Sequence, residues 1–167
     1  GISYSFVWQV DGALSLVSTT DLLPSSATRK GQEWSIEVTP TDGDTTGPAA
    51  TASILVLNTP PVLETVTLSP IDPLTTDTLN CMATGTVDSD GDTVTLSTVW
   101  TVDGSPVDTG SDTLGPEDFN PGSFISCAVT PDDGEALGDT LSSSVVRVNV
   151  PPVLHSVSIS PEMPTVE

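Results

Sequence analysis

The stretch Val94-Thr95-Leu96-Ser97-Thr98-Val99-Trp100-Thr101-Val102-Asp103-Gly104 alternates apolar and polar side chains and closes on Asp-Gly. A period of two is the spacing of an extended strand, and it puts Val94, Leu96, Trp100 and Val102 on one face. The Asp-Gly pair that follows is turn chemistry. The stretch therefore reads as a half-buried β-strand with an inward tryptophan and a tight turn at its end. No segment of the chain shows the apolar spacing of a helix.

The same signal occurs a second time. Trp100-Thr101-Val102-Asp103-Gly104 matches Trp8-Gln9-Val10-Asp11-Gly12, with Ile2, Tyr4 and Phe6 extending the inward face of the earlier copy. Val129-Thr130-Pro131 matches Val38-Thr39-Pro40, and Asn149-Val150-Pro151-Pro152-Val153-Leu154 matches Asn58-Thr59-Pro60-Pro61-Val62-Leu63. Leu63 recurs as Leu154, a period of 91 residues. Self-similarity at a fixed period marks a repeat architecture, and paired prolines make short, stiff joints because they lack a backbone donor and hold the preceding residue extended. The expected units are residues 1–61, a domain lacking its first strands; 62–152, a complete domain; and 153–167, the first strand of a third. Gly1 aligns with Thr93, so the first unit lacks the counterpart of about 31 opening residues. Simple truncation of a longer protein explains this; so does acceptance of a strand from a neighbouring copy, with residues 153–167 as the donor.

Within the complete unit, alternation predicts strands over residues 65–69, 78–83, 94–102, 124–130 and 141–150, with a short one near Thr113. Leu79, Cys81 and Ala83 share the inward face of the second, and Ile125, Cys127 and Val129 that of the fourth. Both cysteines therefore point into the sandwich. A Cys81–Cys127 bond would tie these two strands together beside Trp100, the arrangement of immunoglobulin domains; two buried free thiols are the alternative. Ile36 stands where the first unit would need its second cysteine, so the bond is an added constraint on one unit. A disulfide also points to an oxidising compartment, extracellular or on the cell surface.

The Asn-x-Pro-Pro joint, Ser69-Pro70, the Asp88-Ser89-Asp90-Gly91-Asp92 loop, the Trp-x-Val-Asp-Gly strand and turn, and Val129-Thr130-Pro131-Asp132-Asp133-Gly134 together resemble the immunoglobulin-like and PKD- or cadherin-like tandem repeats of very large bacterial surface and secreted proteins. The resemblance covers the whole chain. It implies an all-β architecture of tandem immunoglobulin-like Greek-key β-sandwich domains, and a role as stalk, adhesin spacer or filament part.

Charge narrows the partners. The chain of 167 residues has 23 acidic residues against three basic ones, Arg29, Lys30 and Arg147, for a formal net charge of −20. Nucleic acid and anionic membrane are poor partners for such a surface. Divalent cations, high-salt surroundings or a basic partner suit it better; neighbouring copies of the same repeat or the same protein are the partners that the repeat itself implies. Disorder competes as a reading of an acidic, Thr- and Pro-rich chain, but 36% of residues are hydrophobic and fall in alternating runs. No stretch approaches the length of a transmembrane helix.

Asp88, Asp90 and Asp92 stand at alternate positions around Gly91, as in loops that wrap Ca²⁺. Val99 occupies the place where an EF-hand needs its twelfth-position Glu, so this is not an EF-hand. In an immunoglobulin topology the loop bearing Asp132, Asp133 and Glu135 emerges at the same end, and could complete a Ca²⁺ site at the Pro60-Pro61 joint; Asp42 and Asp44 hold the matching loop of the first unit. Acidic turns that keep an extracellular protein soluble are the alternative.

Catalysis finds little footing. His155 is the single histidine, in an orphan strand, and no nucleophile elbow, zinc spacing or phosphate loop occurs. The reading is a structural or adhesive repeat region, not an enzyme; a spacer or accessory binding module of a large secreted enzyme or adhesin is the alternative.

Overall fold

A computed structural model describes residues 1–160. The described residues form twelve strands: β1 (Ser3–Val10), β2 (Ala13–Ser15), β3 (Glu33–Thr41), β4 (Ala50–Leu55), β5 (Thr65–Ser69), β6 (Leu79–Thr84), β7 (Thr95–Val102), β8 (Ser105–Val107), β9 (Thr113–Leu114), β10 (Phe124–Asp132), β11 (Leu141–Ser142) and β12 (Val146–Arg147). One short 3-10 turn, Ser25–Ala27, interrupts them. No helix among the described residues is long and apolar enough to cross a membrane. Two compact units result, one built on residues 1–62 together with residues 86–95 and 131–139, the other on residues 63–85, 96–130 and 140 onward.

The second unit is a sandwich. One sheet runs β5-β6-β9 and the other β11-β10-β7-β8, with β12 also paired to β10. The chain alternates between layers: β5 and β6 in one, β7 and β8 in the other, then back to β9 and across again to β10. This is a Greek-key, immunoglobulin-like β-sandwich. Burial along β10 alternates as period two demands, with Ile125, Cys127, Val129 and Pro131 inside. They meet Val66, Leu68, Leu79, Cys81 and Leu114 of the facing sheet, with Trp100 fully buried among them. Cys81 and Cys127 form a disulfide across the layers, with Cα atoms 6.2 Å apart.

Three features depart from the expected strands. The predicted strand over 141–150 is broken into β11 and β12. At the break the Ser143 hydroxyl accepts the Cys127 N–H at 3.1 Å, while Ser143 N–H donates to the Cys127 carbonyl at 2.8 Å. A side chain thus takes one place in the ladder that a backbone carbonyl would fill. Leu96, expected inside, is 47% exposed. The opposing β9 pairs with β6 only at Leu79 and Asn80, so the facing layer stops short of this end of β7. And β8, unforeseen, pairs with β7 after the Asp103-Gly104 turn.

The first unit is a single antiparallel sheet, β2-β1-β3-β4. Its register sets Phe6 opposite Val38, Trp8 opposite Ile36, and Val10 opposite Trp34, with Ile54 beyond Trp34 on β4. Trp8 and Trp34 meet edge to face at 6.4 Å, and Trp34 is buried. Tyr4 and Ile54 of this sheet, and Ile2 just before it, lie exposed. Among the described residues no second layer covers it. Residues 153–160, expected as the start of a further strand, are exposed coil, and 161–167 lie outside the described residues.

The two tryptophan strands share their turn geometry down to individual bonds. Asp11 and Gly12 have φ of 50° and 77°, Asp103 and Gly104 of 52° and 83°. Positive φ at both central residues is what a tight two-residue hairpin requires, and Asp-Gly tolerates it. Trp8 Nε1 donates to the Thr20 carbonyl at 2.8 Å, and Trp100 Nε1 to the Ser111 carbonyl at 3.2 Å.

Candidate acidic cation site

Within the first unit, the loops of residues 86–95 and 131–139 come together, and each is shaped by its own aspartates. Asp88 Oδ1 accepts the N–H groups of Asp90 at 2.8 Å and Asp92 at 3.0 Å, closing the loop around Gly91, whose φ of 83° favours glycine. Asp133 Oδ1 accepts the N–H groups of Glu135 and Ala136, both at 2.7 Å. The matching Asp42 accepts those of Asp44 at 3.0 Å and Thr45 at 2.9 Å. These carboxylates are turn formers first.

Asp88, Asp92 and Asp133 each offer an oxygen, and the three lie within 4.8 Å of one another. The remaining predicted ligands are engaged elsewhere. Asp90 Oδ2 accepts the Thr59 N–H at 2.7 Å, Asp132 Oδ1 accepts the Gly134 N–H at 2.8 Å, and Glu135 Oε1 accepts from Lys30 Nζ at 2.8 Å. Asp42 and Asp44 do not join the cluster.

Two residues missed from the sequence complete the site. Asn58 Nδ2 donates to Asp133 Oδ2 at 2.8 Å. Lys30 Nζ bridges the loops, bonding Asp92 Oδ2 as well as Glu135. The Asn58 amide, then the Ala136 and Glu135 N–H groups, and more weakly the Lys30 charge hold the Asp133 carboxyl below the usual carboxylate range. Asp92 first and Glu135 second push the Lys30 ammonium above the usual lysine range. The signal for Lys30 was present, since it is one of three bases in a chain of charge −20. Nothing local to Asn58 marked it as more than part of a proline joint.

The donor set fits a hard cation. Asp88 Oδ2 and Asn58 Oδ1 are buried without a hydrogen-bond partner among the described residues, and a buried acceptor left unpaired is costly. Oxygens on opposite sides of one Ca²⁺ stand roughly 4.6–5.2 Å apart, given bonds of about 2.3–2.6 Å. The three carboxylate oxygens lie within 4.8 Å of one another, close enough to share one such ion.

No family model and no curated protein matches this sequence. Among solved structures, the chain is similar to a crystal structure of chicken CNTN1 FN1–FN3 domains, at 9% identity and a TM-score of 0.38. The likeness covers 89% of this chain and 57% of that one, so the chain spans little more than half of its neighbour.

Proposed function

We propose that this chain is a structural and adhesive segment of a large bacterial surface protein or extracellular filament, in which immunoglobulin-like sandwiches are strung through double-proline joints into stiff rods. The domain scheme that goes with this is 1–61, 62–152 and 153–167. One observation carries the reading: the Trp-x-Val-Asp-Gly hairpin occurs twice with the same backbone signs and the same indole hydrogen bond. Recurrence at that level favours one unit used repeatedly over two unrelated folds. The disulfide supports an oxidising, extracellular setting. Electron microscopy of the intact protein containing this chain tests the proposal: rods with a regular repeat are expected, and compact particles would count against it.

Calcium belongs to the same proposal. Asp88, Asp92 and Asp133, with Asn58, would hold the ion, whose charge would offset theirs and clamp the two acidic loops to the end of the first sheet. The expected result is a melting temperature that rises with millimolar Ca²⁺ and falls back with chelator.

Strand exchange between copies is a second reading. Residues 153–160 repeat the apolar spacing of β5, with Val157 and Ile159 in the places of Val66 and Leu68, yet lie exposed and unpaired. Concentration-dependent oligomers in sedimentation are its expected signature, and a monomer at all concentrations removes it.

A further inference from the structure

Lys30 is not a loose surface lysine. The neighbouring Gly31 N–H donates to the Val56 carbonyl at 2.8 Å, Val56 N–H returns a bond to the Gln32 carbonyl at 2.9 Å, and Arg29 N–H donates to Gln32 Oε1 at 2.8 Å. The turn carrying Lys30 is thereby pinned to the ends of the first sheet, and its side chain, 24% exposed, is delivered between the two acidic loops. It takes one carboxylate from each, Asp92 and Glu135. These are the ion pairs found among the described residues. Arg147, by contrast, lies 5.6 Å over the Phe124 ring in the second unit.

We infer that Lys30 is the resident cation of the acidic site and the residue that decides whether a divalent metal enters it. This rests on the proposal that the site accepts Ca²⁺, and deepens it by naming what regulates occupancy. Asp92 is one of the three carboxylates a metal would use, and its Oδ2 is committed to the ammonium. A divalent ion must either displace Lys30 or bind beside a fixed positive charge. Repulsion between a single and a double charge a few ångströms apart weakens binding by about tenfold or more, even at the dielectric of water. With Lys30 in place, the two loops are cross-linked without metal. Remove the charge and the same oxygens become a vacant hard-cation site. At the matching position of the second unit stands Pro121, which carries no charge, so the device is particular to the first unit.

The experiment is a calcium titration by calorimetry on the full chain, paired with thermal melts in Ca²⁺ and in chelator, for the natural protein, Lys30→Gln and Lys30→Arg. Lys30→Gln is expected to bind Ca²⁺ about tenfold more tightly, to melt below the natural protein in chelator, and to regain stability as Ca²⁺ is added. Lys30→Arg keeps the charge and is expected to bind as weakly as the natural chain, which guards against a general loss of folding in the glutamine variant. If the natural protein binds Ca²⁺ and Lys30→Gln binds it no more tightly, the role given to Lys30 is wrong while the cation site stands. If neither binds at millimolar Ca²⁺, both are wrong.

Discussion

Asp103 and Phe124 hold each other by two hydrogen bonds: Asp103 N–H donates to the Phe124 carbonyl at 2.9 Å, and Phe124 N–H donates to the Asp103 carboxylate at 2.8 Å. Asp11 and Glu33 do the same in the first unit, at 2.8 and 2.9 Å. In each case the aspartate that starts the hairpin turn also fastens that turn to the next long strand. Asn tolerates positive φ and keeps an acceptor oxygen, whereas Ala does neither well. Asp103→Asn is therefore expected to leave the melting temperature near its natural value at neutral pH. Asp103→Ala should lower it by several degrees, and equal melting of the two variants would contradict this role.

Acid should unfold the protein through a small set of carboxylates. Asp103 is held below the ordinary carboxylate value by the Phe124 N–H and then the Ser123 hydroxyl, Asp42 by the N–H groups of Thr45 and Asp44, and Asp133 as described above. Because the folded values are depressed, the unfolded chain binds more protons in this range. The stabilisation is complete above the ordinary value of about 4 and is lost as pH falls through the folded values. Denaturation midpoints measured from pH 7 to pH 2 should stay level down to about 4 and then drop. In Asp103→Asn the drop should be shallower.

The disulfide links residues 46 apart. Opening a loop of that size typically costs about 2–4 kcal/mol, and the first unit has Ile36 in place of the second cysteine. Reductant, or the double change Cys81→Ala with Cys127→Ala, is expected to lower the unfolding midpoint of the second unit. Trp100 fluorescence reports that transition, and insensitivity of the midpoint to reductant would argue against the bond.

Two apolar residues that alternation treats alike should behave differently. Ile125 is fully buried, and its replacement by Ala is expected to cost about 2–5 kcal/mol through lost contacts and a cavity. Leu96 is nearly half exposed, and Leu96→Ala should cost about 1 kcal/mol or less. Urea denaturation of the two variants measures the contrast, and similar losses would contradict the different packing of the two side chains.

What the chain's residues determined alone was the local and periodic part. The strand expected over 65–69 is β5, Trp100 sits at the centre of the core, and Cys81 and Cys127 both point inward. These follow because side chains alternate strictly along an extended backbone, so a period of two assigns each residue to a face without reference to its neighbours in space. Tertiary structure decided the rest. Whether an inward side chain is covered depends on how far the opposing sheet reaches, which left Leu96 open beyond the short β9. Ser143 replaced part of a ladder because its hydroxyl found Cys127 across the sheet. Lys30 met Glu135, 105 residues along the chain, only because folding brought a pinned turn and two acidic loops to one place. Charge acts through space, and no pattern along the backbone records which distant charges will face one another.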